Sequence, residues 1–164
     1  DKILMLIKNL KTQFPNIKYI SIGTGNEEIN LKKLAKELSI SNEVTFLKNI
    51  KEDLKLAIIS SSNLFLMPSR IENSSVEGFG ISFIEAASYG IGSIGGKDGG
   101  CSDAIVHNET GLICDGNDLN SIYDSSIKFL KNNKYKEFGK KAFEFSENFY
   151  WDKIVKKYLE LINH

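Results

Sequence analysis

Residues 64–89, LFLMPSRIENSSVEGFGISFIEAASY, carry the pattern that decides the fold. The segment starts with four apolar residues, Leu64 to Met67, a run whose length and character are typical of a buried strand. A polar loop follows, and Gly78-Phe79-Gly80 then opens an apolar stretch, Ile81 to Tyr89, that is long enough for a helix. A strand, a glycine-containing loop and a helix in this order indicate a parallel sheet covered by helices.

The alternation of strand and helix continues on both sides of this segment. Strands are predicted at Tyr19–Ile22, Val44–Leu47, Leu64–Met67, Ile91–Ile94 and Gly111–Ile113. The helices predicted around them cover Ile3–Phe14, a segment carrying Leu31, Leu34, Ala35 and Leu38, then Asp53–Ser61, Ile81–Tyr89 and Ser102–His107. We therefore predict an α/β fold with a doubly wound, Rossmann-like parallel sheet.

Beyond Asp118 the pattern becomes purely helical, with helices predicted at Leu119–Lys131, Tyr135–Phe149 and Trp151–Ile162. A chain of 164 residues suits one well-buried core. We interpret residues 1–164 as one domain, with residues 119–164 as its helical C-terminal extension. Its aromatic residues are most simply read as core, or else as docking against another domain; they are Phe143, Phe145, Phe149, Tyr150, Trp151 and Tyr158.

Composition excludes several classes of partner. With 21 basic and 21 acidic residues the net charge is zero, so nothing favours nucleic acid or an acidic membrane as the main partner. The two cysteines, Cys101 and Cys114, have neither metal-ligand nor redox spacing, which predicts reduced thiols in the cytoplasm. His107 is predicted at a helix end and His164 is terminal, so neither is a candidate for catalysis.

Chemistry is expected at the carboxyl ends of the parallel strands, where the loops after Ile22, Leu47, Met67 and Ile94 should share one cleft. A helix that begins after Gly80 would point free amides and its positive dipole end at an anion, for which phosphate is the natural candidate. Glu85 would lie roughly 7 Å further along the axis, about the separation between a diphosphate and a ribose.

Each of these features also has a plain structural interpretation. Gly-Phe-Gly is a common way to turn into a helix, and a lone glutamate is usually a solvated residue. Glu85, however, lies between Ile84 and Ala86-Ala87 in an apolar helix, where an unpaired buried carboxylate would be costly. A charged residue kept in an apolar helix despite this cost favours a functional role for Glu85.

The sequence from Glu77 to Ala86, preceded by Pro68-Ser69-Arg70, resembles the signature of family-4 retaining glycosyltransferases of the GT-B fold, with two glutamates separated by seven residues. Gly90, Gly99-Gly100 with Asp103, and Asn108 to Ile113 are similar to the segments that follow in that family. Val44 to Leu47 before the signature and Phe149-Tyr150-Trp151 after it are similar to the family as well. The resemblance covers nearly the whole chain. It implies the C-terminal, donor-binding half of a GT-B enzyme.

Carried over residue by residue, the resemblance implies that Glu77 is catalytic and lies beside the transferred sugar. The amides of Phe79, Gly80 and Ile81 would contact sugar or phosphate, and Glu85 would hold the ribose. Ile50 and Lys55 would border the base. The complete implied donor site comprises Gly23, Ile50, Lys55, Arg70, Gly78, Phe79, Gly80, Ile81, Glu85, Gly99 and Gly100.

The function that the resemblance implies is transfer of a hexose from a UDP-, GDP- or ADP-sugar to a hydroxyl of a glycan or glycolipid, as in cell-envelope polysaccharide synthesis. No cofactor and no obligatory metal is expected. The spacing of Ser74, Ser75 and Val76 before Glu77 is similar to mannosyltransferases that act on phosphatidylinositol lipids. The expected partner is an absent N-terminal acceptor domain, through which a cytoplasmic protein would touch the inner face of the membrane.

The sequence also departs from the family pattern. Gly92 stands where the family usually has proline and Asp103 where it has glutamate, which leaves the shape of the loop at 95–100 open. The family's first strand, with the arginine and lysine that neutralise the leaving diphosphate, should precede Ile3–Phe14 and is missing; Arg70 and Lys97 are the nearest basic candidates. We predict a gap, a closed five-stranded sheet or a donated strand, and an isolated chain that binds donor weakly without transferring sugar.

Two other classes remain as alternatives. A nucleotide-sugar epimerase or phosphorylase shares the GT-B architecture. A non-catalytic Rossmann-like module of the flavodoxin type would also alternate strands and helices, but it needs clustered aspartates after its first strand, where Gly23-Thr24-Gly25 stands.

Overall fold

The computed structural model describes residues 1–71 and 78–162. The strands are β1 Tyr19–Ile22, β2 Val44–Leu47, β3 Phe65–Met67, β4 Ser93–Gly96 and β5 Gly111–Cys114. The helices are α1 Lys2–Leu10, α2 Glu28–Glu37, α3 Glu52–Ser60, α4 Ile81–Ser88, α5 Cys101–Ala104, α6 Leu119–Leu130, α7 Lys134–Ser146 and α8 Trp151–Ile162. Two 3-10 turns, Lys131–Asn133 and Glu147–Phe149, flank α7. Every predicted strand and helix is therefore present, with shifts at some ends.

The strands form two parallel half-sheets that do not pair with each other in the described part of the chain. β1 pairs with β2, and β4 pairs with both β3 and β5. A cavity of ≈ 1330 Å³ opens between β1 and β3. Of the three predicted outcomes, a gap, a closed five-stranded sheet or a donated strand, the structure has the gap.

Helix α1 bridges the gap because its apolar residues face both half-sheets. Leu6 and Leu10 are buried with Ile94, Leu112 and other residues of the larger core. Leu4 and Ile7 are buried instead in a second core beside β1 and β2. Two cores under one helix hold the half-sheets in place around the cavity.

Strand β4 lies two residues later than predicted, and the reason is a close approach of two backbones. The sequence ends the strand at Ile94 because glycines follow, whereas the structure extends it through Gly96. A Cβ atom on Gly96 would lie 1.7 Å from the carbonyl oxygen of Ser69. Glycine within a strand here marks the contact between β4 and the loop after β3, and not the end of the strand.

Gly92 departs from the family pattern because two stacked rings leave no room for a side chain. Phe129 and Phe138 stack with their ring centroids 4.7 Å apart. A Cβ atom on Gly92 would lie 2.8 Å from Cβ of Phe138 and 2.9 Å from Cζ of Phe129. The small residue accommodates this aromatic pair.

We expect Gly92→Ala to lower the free energy of unfolding by about 1–3 kcal/mol, because overpacking forces the two rings apart. Urea denaturation would measure the change. Gly25→Ala is the matched control, since nothing lies within 4 Å of its Cβ position. Equal stability of the two variants would show that the stacked rings do not constrain Gly92.

Several predicted helices are longer than the observed ones, and α1 and α5 show how such ends are set. α1 ends at Leu10, and residues 11–14 continue in turns, consistent with the restriction that Pro15 places on the residue before it. α5 ends at Ala104, so the prediction that His107 lies at a helix end is wrong. Nδ1 of His107 instead accepts a hydrogen bond from the Ile113 amide at 2.9 Å. His164 lies outside the described residues.

The aromatic residues of the C-terminal region divide into two groups. Phe145 and Phe149 are half-buried and in ring contact with each other. The core interpretation is wrong for the other four, which are 43–81% exposed: Phe143, Tyr150, Trp151 and Tyr158. α8 has no buried residue, so its apolar side chains face outward. Within the ranges that the structure describes, no helix has both the length and the apolar character to cross a membrane.

Candidate functional site

The start of α4 has the geometry expected of an anion site. Gly80 precedes the helix in the left-handed region, at φ 81° and ψ 54°, a conformation that favours glycine. The Phe83 amide donates back to the Gly80 carbonyl at 2.9 Å. In the described ranges nothing accepts a hydrogen bond from the Ile81 and Ser82 amides. These amides and the positive end of the helix dipole can receive an anion.

Glu85 lies on the first turns of α4, and its carboxylate is paired with a lysine from the preceding helix. Its Oε2 is 3.3 Å from Nζ of Lys55, and the two side chains are 39% and 26% exposed. The structure therefore brings together two residues that were predicted to bind donor. Glu85 is neither buried nor unpaired, so the cost of an unpaired buried carboxylate, on which the sequence argument for a functional role relied, does not arise here.

Lys55 is also bound by a second carboxylate, that of Glu52, at 2.8 Å. The hydrogen bond that Lys55 donates to Glu52, together with the one that it donates to Glu85, raises the pKa of Lys55 above its ordinary value. The lysine thus stays protonated and holds Glu85 in place by charge. Glu52 was missed by the sequence reasoning, although its position three residues before Lys55 on one helix could have indicated it.

The loop after β4 packs directly against the glycine loop before α4. A Cβ atom on Gly100 would lie 1.7 Å from the Gly78 carbonyl oxygen and 3.0 Å from Cα of Phe79. Gly99 adopts φ 78°, and Asp98 accepts a hydrogen bond from the Ile71 amide at 3.4 Å. Gly99 and Gly100 therefore shape the loop at Gly78 and Phe79 through backbone contact.

The two basic candidates occupy different surroundings at the carboxyl edge of the sheet. Nη1 of Arg70 is 4.0 Å from Oδ1 of Asp1, which places Arg70 at the mouth of the cavity beside the start of α1. Nζ of Lys97 is 2.7 Å from Oδ2 of Asp115, and this ion pair raises the pKa of Lys97. Because Lys97 is ion-paired with Asp115, it is a weaker candidate than Arg70 for binding a ligand phosphate.

The remaining predicted site residues are less closely joined to this group. Gly23 follows β1, donates its amide to the Leu47 carbonyl at 3.0 Å and has no atom within 4 Å of its Cβ position. Ile50 is half-buried in the loop after β2. Within residues 1–71 and 78–162, no recorded hydrogen bond or ion pair joins Gly23 or Ile50 to Glu85 or to the glycine loop.

Glu77, the predicted catalytic residue, lies outside the described residues, as do Ser74, Ser75 and Val76. The cavity between the half-sheets is not lined by Glu85 or by Gly78 to Gly80. The cavity is therefore centred away from Glu85 and the glycine loop, although Arg70 lies at its mouth. Among the residues that the structure does describe, no three His, Cys, Asp or Glu side chains are grouped so that they could hold a metal ion.

Sequence comparison connects the chain to glycosyltransferases. An N-acetyl-alpha-D-glucosaminyl L-malate synthase of Bacillus anthracis is 32% identical over 143 residues, which cover 86% of this chain and 36% of that protein. A GDP-mannose-dependent alpha-(1-6)-phosphatidylinositol monomannoside mannosyltransferase of Mycobacterium tuberculosis is 29% identical over 132 residues, covering 79% of this chain and 34% of the relative. The chain spans about a third of the length of these curated relatives.

Solved structures of GT-B glycosyltransferases share the fold. Sucrose-phosphate synthase from Thermosynechococcus elongatus superposes with a TM-score of 0.80 at 23% identity, covering 98% of this chain and 41% of that one. The pneumococcal O-GlcNAc transferase GtfA, solved with UDP and GlcNAc, gives a TM-score of 0.82 at 15% identity over 99% of this chain and 32% of that one. The family described as Glycosyl transferases group 1 matches residues 1–145. This chain belongs to the group 1 glycosyltransferase family.

Proposed function

We propose that this chain is the donor-binding half of a retaining glycosyltransferase, and that the whole protein transfers a hexose from a nucleoside diphosphate sugar to an acceptor hydroxyl of a glycan or glycolipid. The observation that carries the proposal is the arrangement on α4. The amides of Ile81 and Ser82 at its start have no acceptor among the residues that the structure describes, and Glu85, held by Lys55 at 3.3 Å, lies about one and a half turns further on. The names of the relatives favour a transferase over an epimerase or phosphorylase.

The chemistry follows from where charge develops. As the bond to the sugar breaks, negative charge grows on the leaving diphosphate, and preorganised donors there are typically the largest source of rate enhancement. The amides of Gly80 and Ile81, the dipole of α4 and the Arg70 guanidinium supply that stabilisation without an obligatory metal. Glu77 orients the sugar and balances positive charge on its ring, while Glu85 accepts hydrogen bonds from the ribose hydroxyls.

The rest of the parent protein supplies what this chain lacks. The gap between β1 and β3 is the place of a further parallel strand, and an acceptor-binding domain faces the carboxyl edge of the sheet. Since the relatives are about three times longer than the matched segment, both parts have room in a protein of that length. We place the parent protein in the cytoplasm, with membrane contact confined to the acceptor-binding domain.

Two of the similar proteins bear on which nucleotide the donor carries. One relative is named for GDP-mannose, and one structural neighbour was solved with UDP and GlcNAc. The contacts available to a base here are backbone and shape, so both nucleotides are candidates together with ADP. NMR titration of the chain with UDP, GDP and ADP would rank them.

We expect Glu85→Ala to weaken binding of the preferred nucleotide by roughly ten- to a hundredfold, because a charged acceptor contributes about 1.5–3 kcal/mol per well-made hydrogen bond. Glu52→Ala is the matched control, since Glu52 pairs with the same lysine from a side chain that is 65% exposed. That control should bind nucleotide within about threefold of the unaltered chain. Equal affinities of the Glu85 variant and the unaltered chain would remove Glu85 from the donor site.

A further inference from the structure

Phe79, the residue between the two glycines of the donor loop, is in ring contact with a residue 70 positions later in the chain. Its ring centroid lies 5.5 Å from that of Phe149, with the ring planes inclined at 47°. Phe149 ends the 3-10 turn Glu147–Phe149 that leads into α8. It also lies beyond residues 1–145, the part matched by the family. Nothing in the donor motif itself therefore points to this contact.

The contact matters because it adds a side-chain restraint to a loop that is also held by backbone contact with Gly100. Gly78 has open space around its Cβ position, and Gly80 carries no side chain. Phe79 is the one member of Gly78-Phe79-Gly80 with a side chain, and its ring packs on the core around Phe83 and Cys101. Phe149 covers that ring from outside the core. The two glycines can adopt many backbone conformations, so this ring contact restrains the loop together with the backbone contact at Gly100.

Phe149 is itself held in place by the helix that packs against α4. Its ring lies 5.2 Å from that of Phe145 on α7, in an edge-on arrangement. α7 packs against α4. A Cβ atom on Gly139 of α7 would lie 2.1 Å from the carbonyl oxygen of Gly90, two residues after α4 ends. The position of Phe149 is thus tied to α4, the same helix whose first amides form the candidate anion site.

We propose that Phe149 is a positioning residue for the donor loop: through the ring of Phe79 it fixes the backbone of Gly78 to Gly80 in the conformation that receives the nucleoside diphosphate. This rests on the proposed function of the loop. It extends the donor site to a residue that never touches the donor. It also makes the restraint dependent on the C-terminal segment that continues into α8.

The first test needs no ligand. Phe149→Leu keeps an apolar side chain but removes the ring pair, and NMR relaxation of the Phe79, Gly80 and Ile81 amides should show backbone order parameters that fall from about 0.85, the rigid value, to below about 0.6. Phe149→Tyr, which keeps the ring, should restore the rigid values. Phe143→Ala is the matched control, because Phe143 is 43% exposed on the neighbouring helix. Unchanged order parameters at these amides in Phe149→Leu would overturn the proposal.

The second test uses nucleotide affinity, measured by NMR titration with UDP, GDP and ADP. Phe149→Leu should weaken binding about three- to tenfold, the effect expected for loss of one aromatic pair. In a chain that already carries Phe79→Leu, the same substitution should change affinity by less than about twofold. Additive effects of the two substitutions would show that the ring pair does not transmit the restraint.

A variant that only destabilises the fold must give a result that differs from that of Phe149→Leu. Phe129→Leu alters a fully buried core ring outside the loop, and it should lower the melting temperature while leaving nucleotide affinity unchanged. If Phe129→Leu weakened binding as much as Phe149→Leu, the positioning role would be refuted. If the Glu85 variant lost affinity while Phe149→Leu kept both its affinity and its rigid order parameters at the loop amides, this inference would fail and the proposed function would stand.

Discussion

A strand-forming segment such as Val-Ile-Val-Val-Gly, joined directly ahead of Asp1, is expected to raise the melting temperature by about 6–12 °C. Its four apolar residues would contribute about 1.5–3 kcal/mol each through burial, against about 1–2 kcal/mol per residue for ordering the backbone. Burial of the exposed apolar side chains of β1 adds to this. The net increase in the free energy of unfolding is about 3 kcal/mol. For a chain of this size, each kcal/mol shifts the melting temperature by about 2–4 °C.

The strands on both sides of the gap point backbone amides into it, as pairing with a further parallel strand requires. The amides of Tyr19 and Gly23 donate toward β2, so those of Ile20 and Ile22, which alternate with them, point into the gap. Phe65 donates toward β4, so the Leu66 amide also points into the gap. Ile20 and Ile22 are about 40% exposed in a strand that would be central in a completed sheet. A volume of ≈ 1330 Å³ also exceeds the about 300–1,000 Å³ of ordinary small-molecule sites.

The attachment point is favourable because α1 starts at the carboxyl edge, beside Arg70. A parallel strand in the gap would end there and continue into α1 and then β1, the usual crossover connection. Hydrogen exchange should show about 100-fold slower exchange at Ile20, Ile22 and Leu66 in the fusion. The same segment with a central proline, or attached after His164, is expected to give neither effect. Stabilisation by all three fusions alike would contradict sheet completion.

The type of each element could be predicted from the sequence because apolar runs of strand length alternate with helical periodicity. The ends of some elements could not be predicted, because contacts between residues distant in sequence decide where those elements stop. Gly95 and Gly96 signal a turn locally, yet Gly96 belongs to β4 because the backbone of Ser69 lies against it. His107 was assigned to a helix end, yet α5 stops after one turn at Ala104. Such tertiary contacts leave no local signal.

The candidate site was predictable to a similar extent. The glycine that opens α4 and the position of Glu85 along it follow from local pattern alone. The partner of Glu85 does not, since Lys55 is 30 positions away on another helix. Phe149 shows the same limit, because an aromatic residue in a helical tail gives no indication of which loop it covers. Resemblance to a family identified Lys55 but offered no geometry for it.

Gly100→Ala is expected to weaken nucleotide binding about 100-fold while the chain remains folded. The added methyl group would lie 1.7 Å from the Gly78 carbonyl oxygen, and opening that distance even to 3.0 Å moves the backbone by more than 1 Å. Both contacting groups are backbone, so no flexible side chain can absorb the overlap. Displacement by about 1 Å in a binding or catalytic constellation can cost about 100-fold.

The loop at Gly78 and Phe79 is the part that must give way, because Gly100 is followed at once by α5 and its buried Cys101. Titration with UDP, GDP and ADP would measure the loss, and thermal unfolding would show that the rest of the chain is intact. Ser102→Ala is the neighbouring control, since Ser102 is exposed on α5 and should bind nucleotide like the unaltered chain. Wild-type affinity in Gly100→Ala would mean that the glycine loop tolerates displacement, and that the donor is held elsewhere on the carboxyl edge of the sheet.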